Sequence, residues 1–334
     1  MTTSYDFVIF GASPLSALLS GLLAHDHGGQ VLRVADPVPK MRLSRNIDVA
    51  LPFATRPPTW RLLRSSVAET HRLLTEIGGA EALDHNTLKI IADLPDTSTA
   101  LAHMSHVAAG YGLASRASVF LDVPRLVAEI DLRDSSVQSV EAARVALALD
   151  GSRGAKLSLD GDPLPAGQII LADDAAILEH LPESERPDML RAEPMLATLT
   201  TPSKRLPAQI VHYPDRGVTL AQRADGSILA LADAAADTEA RLGSCLPGPF
   251  PLQRRSTAHY RRVATADGAP LIGALERRPV VLIAGLGSAA AFFAPPLARY
   301  LAARSGDEEK HWFFAHEPTR SNRAAVADIA EIRP

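Results

Sequence analysis

The turn from Gly11 to Ser16 carries the residues best suited to bind a nucleotide phosphate. An apolar run, YDFVIF, precedes it, and a segment rich in leucine and alanine, LSALLSGLLA, follows it, so the sequence predicts a strand, a tight turn and a helix. Backbone amides and the positive end of the dipole at a helix N-terminus favour a bound phosphate. Gly11 permits the tight turn, and Ser13, Pro14 and Leu15 are the predicted phosphate contacts.

This turn departs from the common pattern G-x-G-x-x-G, because serine replaces the second glycine at Ser13 and the third at Ser16. Serine is small and its hydroxyl can bond a phosphate oxygen, so a dinucleotide remains the predicted ligand. Asp36 ends the next apolar run, QVLRVAD, where an acid can accept hydrogen bonds from an adenosine ribose. The alternative is a Rossmann-like unit that has lost its ligand together with two glycines.

The elements around the turn predict an α/β fold, in which a Rossmann-like domain is interleaved with a mostly antiparallel β-sheet domain. The opening β-α-β unit builds parallel sheet. Strand-like runs fill the middle of the chain, with a hairpin at Asp225–Gly226, and a strand, a glycine turn and a helix follow near its end. The predicted division assigns residues 1–78, 118–178 and 260–334 to the dinucleotide-binding domain and residues 79–117 and 179–259 to the substrate domain.

Composition argues against several classes of protein. The formal net charge of -4, with arginines scattered among acids, gives no basic surface for nucleic acid. No stretch reaches the roughly 18 uninterrupted apolar residues of a membrane helix, and the N-terminus lacks the pattern of a signal peptide. A single cysteine, Cys245, cannot form an internal disulfide, which suits a reducing compartment. We therefore expect a cytoplasmic protein with no membrane or nucleic-acid partner.

Other candidate sites are weak. The 11 histidines include a close pair, His103 and His106, but no cysteine or carboxylate completes a zinc pattern, so we expect no metal. No serine lies in a G-x-S-x-G turn after a strand, which argues against a hydrolase. Near the C-terminus, Trp312, Phe313 and Phe314 are predicted to pack the last helix onto the core, with a partner-binding patch as the alternative.

The most specific motif is RRVATADGAPLIGALERRPVVLIAGLGSAAAFFAPPLARYLA. It resembles the element R-x-x-T-x-D-G-x-P-x-I-G of the D-amino-acid oxidase and glycine oxidase superfamily of flavoproteins, followed there by a strand, a glycine turn and a helix with Ala-Pro. Three further segments extend the resemblance over nearly the whole chain: VIFGASPLSALLSGLLA with Asp36, the loop RLSRNIDVALPF, and the strand GQIILADDAAI. The resemblance implies an oxidoreductase with FAD as its cofactor.

On this resemblance the flavin site draws on three segments beyond the phosphate turn. A loop after the second strand would contact the flavin, and the strand GQIILA would end beside it. The glycine turn near the C-terminus would let the backbone approach the pyrimidine edge, where the next helix favours negative charge. The implied contacts are Ser44, Arg45, Asn46, Ala172, Gly285, Gly287, Ser288 and Ala289.

The same match places Arg262 where the family has its arginine for the substrate carboxylate, a role that suits a bidentate guanidinium. Arg261 is the alternative register, and a structural ion pair is the alternative role. The sequence also departs from the family at three points. An acidic residue follows the strand at Asp173–Asp174 in place of glycine, alanines follow the glycine turn at 289–290 where polar residues are common, and Thr219 stands where a tyrosine is common.

The resemblance favours oxidation of the C–N bond of an amino acid or related amine, with hydride transfer to flavin N5 and a small-molecule substrate. Such chemistry needs positioning more than a dedicated acid or base. Two alternatives stay open: an FAD monooxygenase-like enzyme acting on a larger or protein-bound substrate, and a non-catalytic flavoprotein subunit or degenerate member of the family. A homo-oligomer or a partner subunit is compatible with each of them.

Overall fold

The structure, a computed structural model, describes residues 4–36, 43, 45, 47–50, 57–76, 84–99, 102, 116–120, 137–150, 154–248, 254–275 and 279–321. Ser44 and Asn46, both predicted flavin contacts, lie outside the described residues. The helices are α1 (Pro14–His25), α2 (Pro57–Glu76), α3 (Asp174–His180), α4 (Thr238–Cys245), α5 (Ala294–Leu301) and α6 (Asp307–Phe314).

The strands fall into three sheets. They are β1 (Tyr5–Phe10), β2 (Val31–Val34), β3 (Asp48–Ala50), β4 (Asp84–Ile90), β5 (Arg116–Phe120), β6 (Gln138–Val140), β7 (Val145–Asp150), β8 (Gly154–Leu159), β9 (Asp162–Pro163), β10 (Ala166–Leu171), β11 (Leu190–Thr200), β12 (Ile210–Tyr213), β13 (Val218–Gln222), β14 (Ile228–Asp233), β15 (Arg254–Thr265), β16 (Leu271–Ala274) and β17 (Val280–Ala284).

The first sheet has six strands in the order β16-β17-β10-β1-β2-β6. All its pairings are parallel except that of β16 with β17, and the opening β1-α1-β2 unit forms as predicted. Apolar side chains from helices α1, α2, α5 and α6 cover one face, among them Leu18, Leu63 and Leu297. A small antiparallel sheet, β7-β8-β9, covers the other face together with α3. The Rossmann-like fold is therefore confirmed.

The second sheet has eight strands in the order β15-β11-β14-β13-β12-β4-β5-β3. It is antiparallel throughout, except that β12 pairs parallel with β4. The predicted hairpin at Asp225–Gly226 joins β13 to β14, and Gly226 has the positive φ, +79°, that this turn requires. This is the mostly antiparallel sheet that the sequence predicts.

The predicted domain boundaries stay predictions, but two strands join the sheets differently. β15 pairs with β11 from Arg254 to Thr265, so it crosses the predicted boundary at 260 and belongs to the second sheet. β3 joins the far edge of the same sheet although it lies within residues 1–78. A strand's sheet is set by its pairing partner, which local sequence patterns do not reveal.

The aromatic cluster near the C-terminus forms as predicted for two of its three residues. Trp312 and Phe313 are buried, and the Trp312 indole donates a hydrogen bond of 2.9 Å to the hydroxyl of Thr59 in α2. Phe314 is 71% exposed, so the prediction is wrong for this residue. Successive residues of a helix point in different directions, and α6 buries the face that holds the first two.

Candidate functional site

Three neighbouring parallel strands of the first sheet, β1, β10 and β17, end at one edge. They lead into the Gly11 turn (residues 11–16), into Ala172 and Asp173, and into the Gly285 turn (residues 285–293). Ligands of open α/β sheets bind beyond the carboxyl ends of such strands. The structure therefore brings three of the predicted cofactor segments together, and Asp36 follows β2 at the same edge.

In the Gly11 turn, the serines that replace glycine hold the turn's own backbone. Ser13 caps α1, because its Oγ accepts a hydrogen bond of 3.3 Å from the Ser16 amide, and Pro14 takes the first helical position. Ser16 is buried, and its hydroxyl donates to the Gly11 carbonyl at 2.8 Å. The Ser16 side chain is therefore engaged within the turn itself.

A carboxylate of the chain itself binds the amides of the Gly11 turn. Asp173 Oδ2 accepts hydrogen bonds from the amides of Ala12, at 2.8 Å, and Ser13, at 3.2 Å. Its Oδ1 accepts the Ala176 amide at 2.9 Å and so caps α3. The Gly11 amide binds the Val34 carbonyl at 3.1 Å. Every amide hydrogen from Gly11 to Ser13 thus has an acceptor within the chain.

Arg33 supplies positive charge close to this carboxylate. Its side chain is buried in β2, and its Nε lies 3.4 Å from the Gly11 carbonyl oxygen. Burial raises the pKa of Asp173, while the three amide hydrogen bonds and the charge of Arg33 act in the opposite direction. Arg33 is not among the residues predicted from the sequence, although an arginine within the apolar run VLRV is a usable signal.

Asp36 lies at the predicted place. It is exposed just after the end of β2, and its Oδ1 accepts a hydrogen bond of 3.0 Å from the Ala142 amide. An exposed carboxylate here retains further acceptor sites for a ribose hydroxyl. The adenosine end of the candidate site therefore fits a dinucleotide.

The two glycines of the Gly285 turn adopt the left-handed backbone conformation that favours glycine. Gly285 and Gly287 have positive φ values of +72° and +51°. A Cβ on Gly285 would lie 2.7 Å from Thr265 Cγ2, so the turn packs closely on the end of β15. Ser288 is partly buried and Ala289 is buried, and a 3₁₀ helix, Gly287–Phe293, leads from the turn into α5.

A second buried acid, Asp48 of β3, contacts the Gly285 turn. It is 2% exposed and accepts a hydrogen bond from the Ala291 amide, while its Oδ2 has no hydrogen-bond partner among the described residues. Burial raises the pKa of Asp48 to about 7. Asp48 is not among the residues predicted from the sequence, although an acid within the apolar segment IDVALPF is a usable signal.

Asp267, in the Asp-Gly pair of the C-terminal motif, supports the loop that packs against the Gly285 turn. Asp267 and Arg320 form a buried bidentate ion pair, with distances of 2.6 and 2.9 Å. Arg320 also donates to the Ala269 carbonyl at 2.9 Å, and that carbonyl lies 3.4 Å from the position of a Gly285 Cβ. This acid therefore fixes the loop against which the turn packs.

Arg262 lies on β15 between two carboxylates. Its Nε donates to Glu193 Oε2 at 3.0 Å, and an Nη lies 3.3 Å from Asp233 Oδ1. The side chain is 24% exposed, so the group is open to solvent in part. These contacts match the ion-pair alternative, whereas Arg261 is exposed on the opposite side of the strand. The substrate-binding role of Arg262 stays a prediction.

Tyr260 lies on the same side of β15 as Arg262, two residues away. Burial raises the pKa of its hydroxyl, and the guanidinium carbon of Arg45 lies 5.9 Å from the centre of its ring. Thr219, which stands at the expected tyrosine position, contacts His212 Nδ1 at 2.8 Å instead. Arg45, a predicted flavin contact, thus lies over the ring of Tyr260, which is not among the residues predicted from the sequence.

The residues present fit FAD at the adenosine end, but not at the pyrophosphate. With Asp173 where it lies, a pyrophosphate at the Gly11 turn would meet amides that are already bonded and a carboxylate of its own sign. The turn accommodates this cofactor only if Asp173 moves or loses its charge.

Within the described ranges, no group of three or more metal-ligating side chains occurs. Nor is any helix in this part of the chain long and apolar enough to cross a membrane.

Comparison with known proteins establishes the fold. No protein-family model matches the sequence, and no curated protein does. Among solved structures, glycine oxidase from Geobacillus kaustophilus is similar with a TM-score of 0.67 at 17% identity, over 93% of this chain and 95% of that one. NikD, an unusual amino acid oxidase essential for nikkomycin biosynthesis, gives 0.71 at 14% identity, over 96% and 100%. L-proline dehydrogenase from P. horikoshii gives 0.66 at 14% identity, over 96% and 98%.

The resemblance drawn from the sequence is therefore confirmed at the level of fold. The chain shares its fold with these glycine oxidase and NikD structures along nearly its full length.

Proposed function

We propose that this protein is an FAD-dependent oxidoreductase that acts on the C–N bond of an amino acid or a related amine. The observation that carries the proposal is the shared edge of β1, β10 and β17, in a fold that amino acid oxidases and an amino acid dehydrogenase share. Asp36 and the Gly285 turn support it, since they lie at the carboxyl ends of β2 and β17, the edge at which open α/β sheets bind their ligands. FAD, when bound, supplies the hydride acceptor for such an oxidation.

The substrate side of the proposal rests on Arg262 and its neighbours. We propose that Arg262 orients an anionic group of a small amine substrate. Its guanidinium already contacts Glu193 and Asp233, so a substrate carboxylate must share it with these two acids. We therefore expect a preference for substrates with a cationic or neutral amine beside any carboxylate, because the excess of acidic groups disfavours a purely anionic ligand.

The test is a visible spectrum of the purified protein incubated with FAD, followed by anaerobic addition of amino acids and amines. Bleaching of bound flavin by a member of either class would support the proposal. Flavin that stays oxidised with every amine, in a protein that consumes NADH and oxygen only when FAD is bound, would favour the monooxygenase alternative instead.

The contacts of Asp173 favour a second candidate function. A chain whose own carboxylate binds the phosphate turn can keep this fold without a cofactor, as a binding or assembly subunit. A protein that purifies without colour and shows no thermal shift with FAD, either in its native form or after substitution of Asp173, would support this candidate over the first.

A further inference from the structure

We propose that Asp173 is an internal ligand of the dinucleotide site, which takes the position of a phosphate and competes with any phosphate-bearing cofactor. This inference rests on the proposed function in one respect only: it takes FAD as the ligand with which Asp173 competes. The main observation is that the Asp173 carboxylate accepts hydrogen bonds from three backbone amides, two of which belong to the Gly11 turn. Converging amides of this kind form the anion-binding concavity that usually receives a phosphate.

The glycine of the turn is explained by the same contact. A Cβ at Gly11 would lie 2.9 Å from Asp173 Oδ2 and 3.1 Å from its carboxyl carbon. Real Cβ atoms do not approach an oxygen so closely, so only glycine leaves room for this carboxylate. In the G-x-G-x-x-G pattern, a glycine at this position usually indicates a bound dinucleotide. In this chain its missing side chain makes space for the chain's own acid.

The position of Asp173 is held from two sides. Its backbone is extended at the N-cap of α3, with Oδ1 bonded to the Ala176 amide, while Oδ2 reaches across to the Gly11 turn. The parallel pairing of β1 with β10 sets the distance between the two, because Phe10 lies opposite Leu171. The carboxylate is therefore placed by the same sheet edge that would place a cofactor.

The charges around the Gly11 turn favour a single anion there. The N-terminal end of α1 and the buried Arg33 both favour one anion at the turn, and Asp173 provides it. A pyrophosphate would add negative charge beside a partly buried carboxylate of the same sign. Binding of FAD therefore requires that Asp173 leave the amides or take up a proton.

The experiment compares the full-length wild-type chain with Asp173→Ser and Asp173→Asn at pH 8. Serine keeps the capping acceptor of α3 without the charge, and asparagine keeps the shape of the side chain. Asp162→Asn, at an exposed acid in β9, is the matched control for net charge. Two probes are titrated: FAD, followed by quenching of its fluorescence, and inorganic pyrophosphate, followed by thermal shift.

We expect Asp173→Ser to bind FAD at least about tenfold more tightly than the wild type and the control. Pyrophosphate should raise the melting temperature of Asp173→Ser but not that of the wild type. Equal FAD affinities in wild type and both Asp173 variants, or no binding by any of them, would overturn the proposal. Tight binding by the variants without bleaching by amines would reject the proposed oxidase function while leaving this inference standing. Equal binding with bleaching would do the reverse.

Discussion

Each of the two glycine turns at the sheet edge contacts an acidic residue from elsewhere in the chain. The two acids differ in the number of hydrogen bonds that they accept. At the Gly11 turn, Asp173 accepts three amide hydrogen bonds and lies near Arg33. At the Gly285 turn, the only hydrogen bond that the described residues give Asp48 comes from the Ala291 amide. Asp173 is therefore held in place by hydrogen bonds to its turn. Asp48 is buried, and its Oδ2 has no hydrogen-bond partner among the described residues.

This difference shows that a glycine turn does not identify its ligand by itself. Both turns have backbone amides and no glycine side chain that would block a ligand. Whether an anion can bind there depends on the charge and the hydrogen bonds of the neighbouring acid. A well-bonded carboxylate competes with an incoming anion. A buried carboxyl whose pKa is raised to about 7 is neutral in a large fraction of molecules near neutrality, and so repels an anion less.

The largest expected effect concerns what supports the Gly285 turn. Arg320→Ala leaves Asp267 buried without its partner, so we expect a loss of about 3–5 kcal/mol in the free energy of unfolding. Urea denaturation followed by circular dichroism measures it. Lys310→Ala, which removes an exposed ion pair with Asp307, is the control and should change stability by less than about 1 kcal/mol. A similar small change in both variants would mean that the turn does not depend on this pair.

A second prediction concerns the pH dependence of stability. The folded pKa of Asp48, about 7, lies above its unfolded value of 3.8, so the native state binds more protons than the unfolded state between these values. Stability therefore falls as pH rises from about 4 to above 7, by at most about 4 kcal/mol from this group. Asp48→Asn should remove the part of the decline that comes from this group.

Denaturation of wild type and Asp48→Asn at a series of pH values from 4 to 8 measures the effect. Burial also raises the pKa of Asp173, whose contribution has the same sign, so Asp48→Asn should flatten the curve only in part. The exposed-acid variant Asp162→Asn should retain the slope of the wild type. Parallel curves for Asp48→Asn and wild type would show that the Gly285 turn does not meet a protonated acid.

The sequence predicts the elements of both turns well and their acids poorly. The β-α-β unit, the hairpin at Asp225–Gly226 and the C-terminal motif follow from hydrophobic spacing and turn residues, which act locally. The contact of Asp173 with the Gly11 turn joins residues about 160 positions apart, and it depends on β10 lying beside β1. An acid directly before the helical run DAAILEH predicts a cap for that helix, but not which distant amides its second oxygen binds.

The smallest expected effect is the coupling free energy between Gly11 and Asp173, which a double-mutant cycle measures. It tests the difference between the two glycine turns directly. Gly11→Ala places a Cβ at a φ of +153° and 2.9 Å from Asp173 Oδ2, so it should cost about 1–3 kcal/mol. In the Asp173→Ser background the backbone strain remains but the close contact is gone, so the cost should fall by about 1 kcal/mol.

Gly285→Ala is the matched substitution at the other turn, where the nearest atom is Thr265 Cγ2 at 2.7 Å and no contact with Asp173 exists among the described residues. Its cost should be nearly the same in the wild-type and Asp173→Ser backgrounds, because Asp173 is not among the atoms nearest to a Cβ at Gly285. Urea denaturation of the single and double variants gives all the required free energies. Coupling of Asp173 to Gly11 and not to Gly285 would establish that this carboxylate is a ligand of one turn; equal coupling to both would mean that its substitution disturbs the whole sheet edge.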